Sequence, residues 1–209
     1  MKSRPYLIGL TGNIATGKGE VAGMLAKLGA HCINADRVAH EVMEPGGLAY
    51  GAVVEAFGPE ILAADGTIDR SRLGGIVFRD PKALRRLEAA VHPSVIAEVG
   101  RRIRGAREAV VVVEAIKLIE SGMHRHYDTL WVVTAPRKAQ MARLMAARGL
   151  TAEEAALRVD AQPPQEAKIA LADRLFVNDG SLDELRTEVS AAWLAIQASR
   201  EYALPSGTS

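Results

Sequence analysis

Cysteine is nearly missing from this sequence, and its charges almost balance. One cysteine among 209 residues excludes an internal disulfide and indicates a reducing compartment. We expect this residue, Cys32, to pack in the core, because it lies in a short apolar segment. A net charge of +1 gives no electrostatic reason to expect nucleic acid or an anionic membrane as a partner.

Long apolar runs are missing as well. None reaches the length that a membrane-spanning helix needs. Residues 1–5 lead directly into an apolar segment and do not have the pattern of a signal peptide. We therefore expect a soluble cytoplasmic protein. Its length of 209 residues suits an α/β domain with a substantial core, and its 48% of apolar residues is typical of globular proteins.

What the sequence does contain is a glycine-bounded loop between a predicted strand and a predicted helix. The loop reads Gly12-Asn13-Ile14-Ala15-Thr16-Gly17-Lys18 and separates the apolar run 6–10 from a helical pattern over 18–28. Consecutive backbone N–H groups in such a turn point at one anion, and the following helix aims its positive end at the same place. With Lys18 beside the β- and γ-phosphates, the order of elements predicts a P-loop, the phosphate-binding loop of many nucleotide-binding proteins.

One position departs from the P-loop pattern. Gly19 follows the lysine, where the pattern has a serine or threonine whose hydroxyl binds Mg²⁺. Glu20 comes next, where many such loops have another small hydroxyl residue. We assign residues 12–20, including Gly19 and Glu20, to the nucleotide site, but the loop itself predicts no certain metal ligand.

Strands and helices alternate along most of the chain. We predict strands at 6–10, 31–34, 109–113, 128–134 and 174–177. Helices are predicted at 18–28, 35–43, 136–148 and 152–161, the last beginning with a capping box at 151–154, then in a further segment that runs to 172, and from 181 to about 199. This alternation predicts an α/β fold with a five-stranded parallel sheet flanked by helices. Residues 48–105 differ, because apolar residues recur there at helical spacing without a strand of core length.

The helical stretch divides the predicted architecture into three parts. We assign 1–44, 106–148 and 166–209 to a nucleotide-binding core. Residues 45–105 form a helical insertion, and 149–165 a helical lid. Such an insertion commonly supplies the pocket for a second substrate, although support of the sheet is an alternative role.

Ligands bind such sheets at the carboxyl ends of the strands, so the residues that follow each strand are the candidates for chemistry. The carboxylate of Asp36 is able to orient or deprotonate a hydroxyl that attacks a γ-phosphate, or to cap the helix that begins there. Position alone does not separate these roles. Glu114, at the end of the third strand, is a candidate for holding Mg²⁺ through water. Lys117 is a candidate for touching phosphate or for pairing with Glu114 or Glu120.

Three arginines and one histidine complete the candidates. Arg143 and Arg148 lie on the helix after the fourth strand, and Arg158 on the next helix. Many small-molecule kinases cover ATP with a helical flap whose arginines neutralise the transferring charge, and we expect one or two of these three to do so. A lone histidine is more often structural, so we treat His92 in the insertion as a possible substrate contact.

A series of different short motifs extends in a fixed order along nearly the whole chain. They are Leu10-Thr11-Gly12, Ala35-Asp36, Glu44-Pro45-Gly46, Phe57-Gly58, Ala64-Asp65-Gly66, Asp69-Arg70, Val91-His92-Pro93, Gln162, Ala172-Asp173 and Asn178-Asp179-Gly180. Each is weak alone, but the ordered series resembles the dephospho-coenzyme A kinase family. The resemblance implies a P-loop NTPase fold with a helical substrate domain and a lid. It also implies transfer of the γ-phosphate of ATP, with Mg²⁺, to the ribose 3′-hydroxyl of dephospho-CoA, the last step of coenzyme A synthesis.

The resemblance also implies roles for particular residues. Asp36 becomes the general base, and Arg143 or Arg148 the lid arginine, while Asn178 and Gly180 lie near adenine. The implied partners are the small molecules ATP and dephospho-CoA, with no nucleic acid or membrane. The protein would be a monomer or a small homo-oligomer.

The sequence departs from the family pattern in three places. Gly19 replaces the hydroxyl residue, Asn34 stands where the first Asp of an Asp-x-Asp pair is usual, and Ile116-Lys117-Leu118 stands where Pro-Leu-Leu is usual. Because Mg²⁺ readily keeps water in its shell, we expect a lower rate or metal affinity rather than loss of activity. Two alternatives stay open: a P-loop kinase for another nucleotide or nucleoside, and a non-catalytic nucleotide-binding regulator.

Overall fold

A five-stranded sheet organises the computed structural model, which describes residues 4 to 203. The strands are β1 (Tyr6–Thr11), β2 (His31–Asn34), β3 (Val110–Glu114), β4 (Thr129–Thr134) and β5 (Arg174–Val177), in the order β2-β3-β1-β4-β5. β1 pairs in parallel with β3 and β4, and β4 pairs in parallel with β5. The predicted five-stranded parallel sheet is confirmed, with β3 displaced by one residue so that it includes Glu114. Predictions about residues 1–3 and 204–209 lie outside the described range.

The helices of the described residues also follow the predicted order. They are α1 (Lys18–Lys27), α2 (Ala35–Glu41), α3 (Tyr50–Phe57), α4 (Arg70–Val77), α5 (Pro81–Gly105), α6 (Arg137–Arg148), α7 (Ala152–Asp160), α8 (Glu166–Ile169) and α9 (Leu182–Ala203), with short 3₁₀ helices at Pro59–Ile61 and Met123–His126. α7 begins with the predicted capping box, in which Thr151 and Glu154 satisfy each other's backbone N–H groups. The helix predicted to reach residue 172 was too long, since α8 ends at Ile169.

The sheet core is built from apolar strand residues that pack against α1 and α9. Four consecutive valines of β3, residues 110–113, are at most 2% exposed, as expected for a strand covered on both faces. Cys32 packs against this core as predicted, and burial raises the pKa of its thiol to about 11. Because the thiolate is the reactive form of cysteine, Cys32 is an inert packing residue.

Two compact units can be distinguished in the chain. One comprises residues up to 32 and from 107 on, and the other comprises residues 33–106. In the second unit the long helix α5 packs against α2, α3 and α4. Residues 48–105 are helical as predicted, apart from turns and one isolated bridge between Leu62 and Ile68. Within residues 4–203, no helix has both the length and the apolar character needed to cross a membrane.

Candidate active site

The glycine-bounded loop 12–18 lies between β1 and α1, where the sequence predicts it. Gly12 and Gly17 have φ angles of 152° and 102°, and Ala15 also has a positive φ of 55°. A Cβ on Gly12 would lie 2.1 Å from the Val133 carbonyl oxygen, and one on Gly17 would lie 2.1 Å from the side-chain nitrogen of Asn178. Both the backbone conformation and the lack of space therefore require glycine at these two positions.

Donors within the loop hold the carbonyl groups of its first half. The ammonium of Lys18 donates to the carbonyl oxygens of Gly12 at 2.8 Å and Asn13 at 3.0 Å. The buried hydroxyl of Thr16 also donates to the Asn13 carbonyl, at 3.0 Å. Successive amides of a loop folded in this way form a concave anion site, so the geometry fits the predicted binding of phosphates.

Two predicted site residues from distant parts of the chain hold the second half of the loop. The guanidinium of Arg143, on α6, donates to the carbonyl oxygens of Ala15 and Thr16, both at 3.2 Å, and to that of Asn178 at 3.0 Å. The Asn178 side chain, on a residue only 4% exposed, donates to the Thr16 carbonyl at 2.9 Å. Arg143 and Asn178 are thus anchors of the phosphate loop. Their predicted roles in phosphoryl transfer and next to adenine remain predictions.

Three other candidate residues of this unit, Arg148, Arg158 and Gly180, lie at exposed positions. Arg148, at the end of α6, and Arg158, on α7, are exposed. Gly180 is exposed in the turn before α9. Together with Asn178, Glu184 and their neighbours, it lines a cavity of about 310 Å³. Asn178 thus both lines this cavity and anchors the phosphate loop, and the adenine contact of Asn178 and Gly180 remains a prediction.

The anchoring contacts predict a difference between the two arginines of α6. Arg143→Met should lower the Tm by about 3–8 °C, because losing a charged donor to partly buried carbonyls costs about 1–3 kcal/mol. Arg148→Met, the matched exposed control, should leave the Tm within about 1 °C. Thermal unfolding followed by circular dichroism checks both values. Equal Tm values for the two variants would contradict the anchoring role.

The loop after β3 is held by a residue that the sequence analysis missed. Lys168 on α8 is 3% exposed, and its ammonium donates to the Ile116 carbonyl at 2.9 Å and to Glu120 at 2.7 Å. Glu114 is half-buried at the end of β3, and Lys117 is exposed. The pairing partner of Glu120 is therefore Lys168. In the sequence, Lys168 is followed by the apolar residues Ile169, Ala170 and Leu171. This was the available sign of a buried lysine, but it does not identify the partner of the ammonium.

The unit 33–106 contains Asp36 and His92. The side chain of Asn34 accepts the Arg37 N–H at 2.7 Å and is the N-cap of α2, so the alternative role of Asp36 as the cap is wrong. Because Asn and Asp cap equally well, the family departure at Asn34 preserves the start of α2. His92 is half-buried on α5. The structure thus brings the loop, Arg143 and Asn178 together in one unit and places Asp36 and His92 in the other.

The side chains of the loop do not form a metal site by themselves. Gly19 offers no hydroxyl, and the hydroxyl of Thr16 is engaged with the Asn13 carbonyl. Over residues 4–203 there is no group of three or more His, Cys, Asp and Glu side chains placed to hold a metal ion. Mg²⁺ in kinases is bound by one or two carboxylates together with substrate phosphates and water.

The parallel sheet and the glycine loop with its lysine define the class of P-loop kinases. A shikimate kinase from Acinetobacter baumannii has the same fold, with a TM-score of 0.54 at 17% identity. The family profile described as dephospho-CoA kinase matches residues 6–184. The chain belongs to the dephospho-CoA kinase family.

Relatives with known sequences and structures agree with this assignment. The chain is 45% identical to a dephospho-CoA kinase of Symbiobacterium thermophilum, covering 90% of this chain and 80% of the relative. It is 44% identical to a dephospho-CoA kinase of Moorella thermoacetica, with 92% of each chain covered. A crystal structure from Thermus thermophilus matches with a TM-score of 0.81 at 33% identity, covering 92% of this chain and 98% of that chain. The dephospho-CoA kinase of Campylobacter jejuni matches with a TM-score of 0.68 at 27% identity, covering 93% and 98%.

Proposed function

We propose that this protein transfers the γ-phosphoryl group of ATP to the ribose 3′-hydroxyl of dephospho-CoA, the last step of coenzyme A synthesis. The observation that carries the proposal is the match of the dephospho-CoA kinase family to residues 6–184. It favours this acceptor over the nucleotides and nucleosides considered above. ATP and dephospho-CoA are the proposed small-molecule partners, and the proposed location is the cytoplasm.

On the ATP side, the phosphate loop and Lys18 are the proposed binding groups. The ammonium of Lys18 contacts the carbonyl oxygens of Gly12 and Asn13 within the loop. When ATP binds, it exchanges these contacts for oxygens of the β- and γ-phosphates, where a full positive charge offsets the charge that shifts during transfer. A lid arginine, Arg143 or Arg148, adds to this effect.

On the acceptor side, Asp36 is the proposed general base. Its carboxylate accepts the proton of the ribose 3′-hydroxyl as that oxygen forms a bond to the γ-phosphorus. The bond between this phosphorus and the β–γ bridging oxygen breaks, and ADP leaves. His92, Glu114 and Lys117 are proposed contacts of the acceptor.

The proposed segments of the chain correspond to these two substrates. Residues 45–105 supply the acceptor pocket, 149–165 form the lid, and the remaining segments form the nucleotide-binding core. Bound with ATP, Mg²⁺ would neutralise part of the charge of the phosphates. Glu114 is the protein group proposed to reach it, through a water molecule.

A coupled assay of ADP release tests the proposed function. With ATP and Mg²⁺, ADP should be released rapidly when dephospho-CoA is added and only slowly without it, and the product should carry its new phosphate at the 3′ position by NMR. Adenosine, nucleoside monophosphates and shikimate serve as competing acceptors. Faster ADP release with one of these would indicate another P-loop kinase. ATP binding without any acceptor-dependent turnover would indicate a regulator.

The glycine at position 19 leads to a prediction about the metal. Gly19 lies in the first turn of α1, and a Cβ added there would meet no atom within 4 Å. Gly19→Ser should therefore fold normally and restore a hydroxyl where the P-loop pattern has one. We expect the Mg²⁺ concentration for half-maximal turnover to fall by a few-fold, with turnover raised or unchanged.

The matched control for this prediction is Gly23→Ser. Gly23 is exposed on the same helix, and its Cβ would also meet no atom within 4 Å. Both variants share the gain in helix propensity from replacing glycine, about 0.5 kcal/mol, but a hydroxyl at 23 lies outside the loop. A higher Mg²⁺ requirement or lower activity in Gly19→Ser would mean that Glu20, Thr16 or water already holds the metal.

A further inference from the structure

One short segment contacts the loops that follow three different strands. This linking segment, residues 162–168, follows α7 and includes the first three residues of α8. Gln162 and the Pro163 carbonyl accept hydrogen bonds from Ile14 and Asn13 of the phosphate loop. Gln165 accepts from the Ala135 N–H and donates to the Ala135 carbonyl, and Lys168 donates to Ile116 and Glu120. It thus touches the phosphate loop after β1, the loop after β3 and the first residue after β4.

The contact with the phosphate loop involves two consecutive residues. The side-chain oxygen of Gln162 accepts the backbone N–H of Ile14 at 2.6 Å. The side chain of Asn13, which is 5% exposed, donates to the Pro163 carbonyl at 2.8 Å. Both donors belong to the first half of the loop. A backbone N–H that is held by an acceptor outside the loop fixes the orientation of its peptide plane.

The two halves of the loop are therefore held by different parts of the chain. Arg143 and Asn178 hold the carbonyl groups of Ala15 and Thr16, as described above. Gln162 holds the amide of Ile14. Removing the Gln162 side chain would free the Ile14 amide and leave the contacts of Arg143 in place, so its contribution can be measured separately from that of Arg143.

The start of the linking segment is itself connected to the helix that bears Arg143. Arg137, on α6, forms a two-pronged ion pair with Asp160 at the end of α7, with distances of 2.8 and 2.6 Å. Asp160 is two residues before Gln162. The pair is half exposed and contributes little stability, but it connects α6 to the end of α7 close to Gln162.

We propose that Gln162 is a positioning residue for ATP binding. By accepting the Ile14 N–H, it keeps the first half of the phosphate loop in the single turn that receives the phosphates. Without this acceptor the N–H must find another partner, and a loop that samples several conformations binds its ligand more weakly. Because Gln162 lies two residues after the end of α7 and within the proposed lid, the geometry of the phosphate loop also depends on the lid.

The inference rests on the proposal that the loop binds ATP, but not on the identity of the acceptor. The test is therefore ATP binding by calorimetry without any acceptor. Gln162→Met keeps the length of the side chain and removes the oxygen, and it should raise the Kd for ATP about five- to tenfold, the effect of one lost hydrogen bond. Gln197→Met, an exposed change of the same kind on α9, should leave the Kd within about twofold of the wild type.

Further measurements separate positioning from a purely structural role. In turnover assays Gln162→Met should raise the KM for ATP and leave the KM for the acceptor unchanged. A lower Tm with an unchanged Kd for ATP, or tighter ATP binding, would overturn the proposal.

A measurement on the wild type covers the case in which the variant does not fold. The Ile14 amide should be protected from hydrogen exchange without nucleotide, and rapid exchange there would also overturn it. Wild-type ATP binding without phosphorylation of dephospho-CoA would instead disprove the proposed function alone.

Discussion

Lys18→Ala is expected to lower turnover by at least about a hundredfold, which corresponds to about 2.7 kcal/mol in the barrier. The ammonium provides the one full positive charge inside the loop 12–18, and its attraction to the phosphates strengthens as charge shifts during transfer. In the structure it already lies within the loop, on the carbonyl oxygens of Gly12 and Asn13. The coupled ADP-release assay at saturating ATP and Mg²⁺ measures the change.

The control for this prediction is Lys27→Ala, which removes an exposed lysine from the last turn of the same helix. It should keep turnover within about twofold, since surface substitutions usually have small effects. Circular dichroism and Tm must show that Lys18→Ala is folded, because the variant also removes a donor to two loop carbonyls. Near-normal turnover in a folded Lys18→Ala variant would disprove the assignment of the P-loop.

Asp36→Asn is expected to preserve ATP binding and to lower phosphoryl transfer by at least about a hundredfold, in the range that a positioned general base contributes. Asparagine is nearly isosteric with aspartate but is a poor proton acceptor. The N-cap of α2 is Asn34 and stays in place, so helix formation does not depend on the changed group. Calorimetry with ATP and the coupled assay measure the two properties separately.

Asp80→Asn is a suitable control for the same chemical change. The Asp80 side chain caps α5 by accepting the Lys82 N–H at 2.8 Å, and asparagine caps equally well. This variant should keep both ATP binding and turnover. Full activity in Asp36→Asn would mean that Asp36 is not the general base. A role of Asp36 as the N-cap of α2 would not explain that result, because the N-cap is Asn34.

The first residue of α2 could not be determined from the sequence alone. Asn34 and Asp36 both favour N-cap positions and lie two residues apart. The choice depends on where β2 ends, and the ends of elements are the least certain part of a sequence-based assignment. The side chain of Asn34 reaches the Arg37 N–H because its backbone is still extended, with φ −89° and ψ 104°. Asp36 already lies inside the helix.

The sequence by itself determined the features that depend on neighbouring residues. The order of strand, glycine loop, lysine and helix follows from residues 6–28. The parallel sheet follows from the alternation of elements, and the start of α7 follows from the capping box of Thr151 and Glu154. Periodicity, caps and turns act over a few residues, so a local pattern is sufficient to predict them. The ordered motifs predicted the dephospho-CoA kinase family, and the family match over residues 6–184 confirmed this prediction.

Only the tertiary structure decided which side chains hold the site. Arg143 contacts the Ala15 carbonyl across 128 positions of sequence, Gln162 reaches Ile14 across 148, and Lys168 reaches Ile116 across 52. No local pattern gives these partners, since a long polar side chain on a helix looks the same in the sequence whether it faces solvent or a backbone carbonyl. The difference arises when the parallel sheet brings the carboxyl ends of its strands to one edge. There, unpaired backbone groups of the loops require partners, and polar side chains from α6 and the linking segment supply them.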